Sequence, residues 1–226
     1  MKFKKILTAG LLILSSTTFS QTISIGPKVG ATLTNFGGVK NTSYKPGITA
    51  GAFLIYSRHE HTGFGLELLY SGEGSNHENT TINGSTSDKY EYNTRLHYLR
   101  IPMNANYFFR TAEDKMRPKI SFGPNIGYLI ATKQNLTLTN TNAGNTIVTK
   151  TENKSLTNYN RLDLGLSLGA GFNYKIKSSL WLNVDLRYNY GLLNILKNSA
   201  YGSNRANNQG ASISIGIAKG LLSSKN

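Results

Sequence analysis

Apolar residues recur at every second position in eight successive runs along this chain. In "TISIGPKVGATLT" they are Ile23, Ile25, Val29, Ala31 and Leu33; in "GITAGAFLIYS", Ile48, Ala50, Ala52, Leu54 and Tyr56; in "GFGLELLYS", Phe64, Leu66, Leu68 and Tyr70. "YLRIPMNANYFF" continues with Leu99, Ile101, Met103, Ala105, Tyr107 and Phe109, and "PKISFGPNIGYLI" with Ile120, Phe122, Ile126, Tyr128 and Ile130. "LDLGLSLGAGFNY", "LWLNVDLRYNYG" and "GASISIGIAKG" complete the series. Successive strand side chains point to opposite faces, so each run predicts a strand with one oily face and one small or polar face. No segment after the N-terminus repeats apolar residues at helical spacing.

The connections alternate as well. Long polar stretches (Asn35 to Pro46, the tract around "GSNHENTTINGSTSDKYEYN", Thr132 to Asn160, Asn194 to Asn208) alternate with the short "RHEHT", "RTAEDKMR" and "KIKSS". The pattern predicts an all-β, eight-stranded antiparallel up-and-down transmembrane β-barrel with short periplasmic turns and long extracellular loops. The Asn/Thr-rich tract within 132–160 reads either as an extended hairpin or as a disordered loop.

Alternation alone fits a soluble barrel with oil inside or a membrane barrel with oil outside. The less oily face separates them. It carries Gly26, Gly30, Gly51, Gly65, Gly123, Gly127, Gly165, Gly169 and Gly171 rather than the Lys and Glu of a water-facing surface. Its few charges are Lys28, Glu67, Arg100, Asp163, Asp185 and Arg187, mixed in sign. Inside a narrow lumen they can pair as a structural polar network, whereas each would cost about 2–4 kcal/mol at the lipid midplane. Tyr56, Tyr70, Tyr107, Phe109, Tyr174, Tyr188 and Tyr190 fall towards run ends on the oily parity, where interfacial girdles sit.

The start, "MKFKKILTAGLLILSSTTFSQ", has a lysine-bearing head, an apolar run from Ile6 to Leu14 and small residues at Thr18 and Ser20. This is the layout of a secretory signal peptide over 1–20, with the barrel domain over 21–226. The chain of 226 residues carries a net charge of +14, but its basic residues are scattered and no nucleic-acid motif accompanies them. An exported protein with such a charge is expected to meet outer-membrane lipid and lipopolysaccharide phosphates rather than nucleic acid. The absence of cysteine excludes a disulfide framework, a thiol nucleophile and a cysteine zinc site.

Candidate chemistry is sparse. His59 and His61 share a strand parity, yet no third and fourth metal ligands cluster near them, so "HEH" reads as an exposed turn. His77 and His97 fall in or beside a predicted external loop. Asp163, Asp185 and Glu67 could pair for acid–base work, but bridges to Arg100, Arg187 and Lys28 account for them without a substrate. No nucleophile elbow, P-loop or dinucleotide fingerprint occurs. The reading is of no catalytic, cofactor or metal site.

"GPKVGATLTNF", "FGLELLYSGEG", "YLRIPMNANYFF", "SFGPNIGYLI", "LDLGLSLGAGFNY" and "LRYNYGLLNI", in this order, resemble the PorT-like outer-membrane β-barrel family of Gram-negative bacteria. The resemblance covers nearly all of the chain after the signal segment and implies a barrel in the outer membrane. For function it implies PorT-like support of protein secretion as one role. Two features depart from the family pattern: Arg100 stands where an acidic residue is usual, and "IAKGLLSSKN" lacks a terminal aromatic.

The expectation is a non-enzymatic, monomeric barrel whose loops meet envelope or secretion proteins, since an eight-stranded lumen filled by side chains leaves no wide channel. Two alternatives belong to other classes. A membrane-embedded enzyme acting on lipid or protein would need a reactive cluster at the loop end. A soluble lipocalin-like carrier would turn the oily parity inward around a hydrophobic ligand.

Overall fold

A computed structural model describes residues 22–57, 59–84, 86–142, 145–197 and 205–222; the expected signal segment 1–20 lies outside them. Nine strands occur among these residues: β1 (Thr22–Gly37), β2 (Thr42–Ser57), β3 (Thr62–Asn83), β4 (Thr86–Phe108), β5 (Met116–Asn142), β6 (Asn145–Asn153), β7 (Leu162–Lys177), β8 (Leu180–Gly191) and β9 (Asn207–Leu222). Eight of them form a closed antiparallel ring in the order β1-β2-β3-β4-β5-β7-β8-β9, with β9 returning to β1. The ninth, β6, pairs only with the outer half of β5.

The oily parity faces outward. Val29, Ile48, Leu68, Phe122, Leu168, Leu186 and Ile213 are all more than half exposed, while Lys28, Ser167 and Asp185 on the other parity are almost fully buried. About 11 residues at 3.3 Å per residue, tilted near 45°, rise roughly 25 Å, the height of an outer-membrane apolar band. This arrangement excludes the lipocalin-like alternative, whose oily residues would line the interior.

Two of the long polar connections are largely paired strands rather than loops, and the 132–160 tract takes the hairpin alternative. β3 and β4 continue as a paired ladder from Gly72↔His97 to Asn83↔Thr86, and Gly84 turns the chain at φ +60°, a left-handed conformation that glycine adopts without strain. β5 and β6 pair from Gln134↔Asn153 to Asn142↔Asn145, so the Asn/Thr-rich tract is an ordered hairpin. "NLTLTNTN" keeps the two-residue alternation and its β-branched threonines suit a pleated surface, and pairing with β4 on one side and β6 on the other fixes the strand. β3, β4, β5 and β6 thus stand beyond the ring as a four-stranded sheet. The remaining connections at this end include a 3₁₀ turn over Leu156–Asn158.

The inward face is also less uniformly small than its glycines imply. Phe36, Val39, Leu96, Tyr98, Leu129, Tyr159, Ile195, Leu196 and Ala206 form one buried cluster at the long-connection end. Phe53, Ile55, Phe108, Trp181 and Ala218 form another at the short-turn end. A barrel interior must be filled by side chains, and these residues fill both ends with hydrocarbon.

Candidate functional site

Between the two apolar plugs lie the charged side chains, in two groups. In the one nearer the short turns, Lys28 on β1 donates to Glu67 on β3 (2.9 Å) and to Asp185 on β8 (2.7 Å). Arg187 holds Glu67 through two bonds, Nη1–Oε2 at 2.9 Å and Nη2–Oε1 at 2.5 Å. Lys119 on β5 completes the group, 2.8 Å from Asp185. Three cations and two carboxylates share this layer.

In the second group, Arg100 on β4 forms a fork to Glu73 and a 2.7 Å bond from Nη2 to Asp163 on β7. Asn208 on β9 also donates to Glu73. One cation meets two carboxylates here. Across both layers four cations face four carboxylates, so the charge of the two layers together cancels although neither is neutral alone.

All six residues singled out from the sequence line the lumen, and the ring brings them together from β1, β3, β4, β7 and β8. Arg100 is held by two carboxylates. Two members were missed. Glu73 sits on the parity of Glu67, three alternations further on, in a stretch read as loop; Lys119 occupies the small face of "PKISFGPNIGYLI". In both cases the two-residue alternation carried the signal.

Glycines make room for the large cations. A Cβ on Gly127 would lie 2.7 Å from the Arg100 Nη1, and one on Gly169 would lie 2.7 Å from the Arg187 Cγ. Between the two layers remains a cavity of about 50 Å³ lined by Glu67, Glu73, Arg100, Asn125, Asp163 and Arg187 among others. It has space for only a few waters. Among the described residues the lumen is therefore a cross-braced interior with hydrocarbon packed at each end.

The histidines do not converge. His61 Nδ1 lies 2.8 Å from the Phe108 carbonyl, His77 Nδ1 2.9 Å from the Lys40 carbonyl, and His97 Nδ1 2.6 Å from the Tyr70 hydroxyl. His77 is on the axis-facing side of its ladder and His97 on the outer side. Among the described residues no three of His, Asp or Glu assemble as a metal-ligand set.

The four-stranded sheet beyond the ring has two unlike faces. Towards the barrel axis it carries His77, Tyr90, Tyr92, Leu136, Leu138 and Ile147, with the His77 and Tyr92 rings 5.8 Å apart. Away from the axis it carries ion pairs: Lys89 with Glu78 (3.5 Å) and Glu91 (2.6 Å), and Glu152 with Lys133 (2.8 Å) and Lys154 (2.9 Å). Hydrogen bonds from Lys133 and Lys154 hold the Glu152 carboxyl at about 2, well below its ordinary value. Lower on the same outward side, Arg95 and Lys133 are direct cross-strand partners, both exposed. Nearby, Arg161 donates to the Tyr128 hydroxyl at 3.3 Å.

Residues 19–197 match a family model described as outer membrane protein beta-barrel domain. No curated protein matches the sequence. Among solved structures, the chain is similar to Neisserial surface protein A (NspA), at 14% identity and TM-score 0.45 over 88% of this chain and 96% of that one. It is similar to Ail, the attachment invasion locus protein of Yersinia pestis, at 9% identity and TM-score 0.42 over 90% and 100% of the two chains. OprG of Pseudomonas aeruginosa shares 10% identity at TM-score 0.47 over 91% and 97%.

Proposed function

The chain belongs to the outer membrane protein beta-barrel domain family, and from that premise we propose that it is a non-enzymatic surface anchor whose barrel holds the four-stranded sheet of β3 to β6 out from the bacterial outer membrane as a binding platform. The observation that carries this reading is the sheet itself. β3, β4 and β5 run on from the barrel wall without a break and β6 adds to the outer half of β5, so a rigid support extends well past the apolar band. β6 pairs on one side only, which leaves the backbone groups of "NTIVTKTEN" along an open edge. Edges of this kind accept an added strand.

The envelope surroundings supply partners for both parts. Arg95, Lys133 and Arg161, set just beyond Tyr128 and Ile130 on the lipid-facing side, suit the phosphates of lipopolysaccharide. An envelope or secretion protein suits the sheet, and the resemblance to PorT-like barrels favours support of protein secretion as the finer role. The closed ring supports a monomer, since β1–β9 and β4–β5 complete the wall within one chain.

Trimming separates anchor from platform. Replacing 79–90 and 136–152 with short turns is expected to leave a heat-modifiable outer-membrane barrel while reproducing the phenotype of full deletion. Full complementation of the deletion by the trimmed barrel would remove the sheet as the functional element.

A further inference from the structure

The short-turn end of the barrel opens on a cavity of about 740 Å³, within the range of small-molecule sites, roughly 300–1,000 Å³. It lies on the periplasmic side, beneath the apolar plug, which forms its floor with Phe53, Ile55 and Trp181. Lys115, Arg117, Lys175 and Lys177 line it, against the carboxylates of Glu60 and Glu113. The cavity is thus amphipathic, with an aromatic bottom and a cationic wall.

Arg117 is the decisive residue. It is 5% exposed, and its guanidinium stacks 4.1 Å above the Phe108 ring and 5.9 Å from that of Trp181. Its Nε donates to the Arg110 carbonyl at 3.1 Å and its Nη2 to the Glu60 carbonyl at 2.6 Å, which fixes the plane of the group. Among the described residues no carboxylate comes within ion-pair distance of it; Asp114 and Glu60 act on it only from farther away. Lys175 is alike: its Nζ sits 5.1 Å over Trp181, bonded to the Glu113 carbonyl at 3.3 Å, with no carboxylate partner among the described residues.

The contrast with the lumen is informative. There, the four cations of the two layers each touch at least one carboxylate, as expected when burying a lone charge is costly, and buried Lys45 beyond them is held by the side-chain oxygens of Asn76 and Asn93. At this end a buried guanidinium faces a roomy cavity without one. We propose that the vestibule binds a small organic anion, a carboxylate or phosphate monoester on an apolar body. The anionic group lies on Arg117 and Lys175, and the body lies against Trp181 and Phe53. Guanidinium suits this task because its planar donors match both oxyanions. The site is at the opposite end of the barrel from the surface platform and does not depend on it.

Trp181 is the chain's only tryptophan, so its fluorescence reports on this cavity alone. The full chain, refolded in non-ionic micelles, is titrated with phenyl phosphate, benzyl alcohol and inorganic phosphate. Phenyl phosphate is expected to give a saturable change with a midpoint below about 1 mM, the alcohol a non-saturating one, and inorganic phosphate binding at least about tenfold weaker. Arg117→Gln is expected to raise the phenyl phosphate midpoint by about tenfold or more, with Lys40→Gln, exposed between β1 and β2 at the far end, leaving it unchanged. If Arg117→Gln fails to give a heat-modifiable barrel, Lys175→Gln carries the test with an expected rise of about threefold. No saturable response, or an unchanged midpoint in the folded Arg117→Gln or Lys175→Gln barrel, overturns the proposal.

Discussion

Arg100 and Glu73 meet in the lumen as a forked pair, Nε–Oε1 at 2.5 Å and Nη2–Oε2 at 2.6 Å, with the same guanidinium bound to Asp163. The fork ties β4 to β3, and the third bond crosses to β7. Removing the cation alone leaves two buried carboxylates facing each other. Arg100→Met is therefore expected to destabilise the folded barrel by about 3–5 kcal/mol, because the cost is that of stranding charge. Adding Glu73→Gln and Asp163→Asn should recover most of the loss, measured by urea unfolding in vesicles. A triple variant no more stable than Arg100→Met would refute this account.

The outward oily face predicts a depth-dependent penalty. Leu166→Arg and Ile215→Arg place a charge against lipid and should each cost about 2–4 kcal/mol if near midplane, whereas Thr139→Arg, on the external sheet, should cost under about 0.5 kcal/mol. Folding yield into vesicles read by heat-dependent migration checks it. Equal yields for all three would place lipid elsewhere.

The ring and the side that faces lipid were both readable because alternation has a strict period and glycine and lysine usage tells oil from water on the other face. What stayed hidden depends on contacts distant in sequence. Nothing near Glu73 shows that Arg100 will lie across from it, so a polar tract containing it looks like loop. Thr137 and Thr139 read as easily in coil as in a hairpin, and only pairing with β4 and β6 decides. Phe53 and Trp181 sat in plain view on the small face, yet their meeting as a plug requires the barrel to close.

Glu152 gives a pH prediction outside the membrane. Its carboxyl is depressed to about 2 by Lys133 and Lys154 against an ordinary value of 4.5. A depressed acid contributes stability that is complete above the unfolded value and is lost as pH falls through the folded one. The tie between Glu152 and Lys133 should therefore hold above pH 4.5 and loosen progressively towards pH 2. Carboxyl NMR should find the Glu152 midpoint near 2, and in Lys133→Gln the midpoint should move up towards 4.5. High salt should move it the same way, since the pair is exposed. A midpoint near 4.5 in the unaltered chain would refute the bridge.

Gly127 tests whether the lumen glycines serve the charges they underlie. The Arg100 guanidinium lies 4.5 Å over the Tyr98 ring on one side, and a Cβ on Gly127 would come within 3.1 Å of its Cζ. Glu73 and Asp163 hold the group from swinging away. Gly127→Ala should then cost about 1–3 kcal/mol through overpacking. The decisive comparison is a double-mutant cycle. In an Arg100→Met background the flexible thioether can yield, so the same Gly127→Ala change should cost less by about 1 kcal/mol or more. Were Gly127→Ala to cost the same with and without Arg100, the glycine would be serving strand packing alone and the close approach would not be its reason.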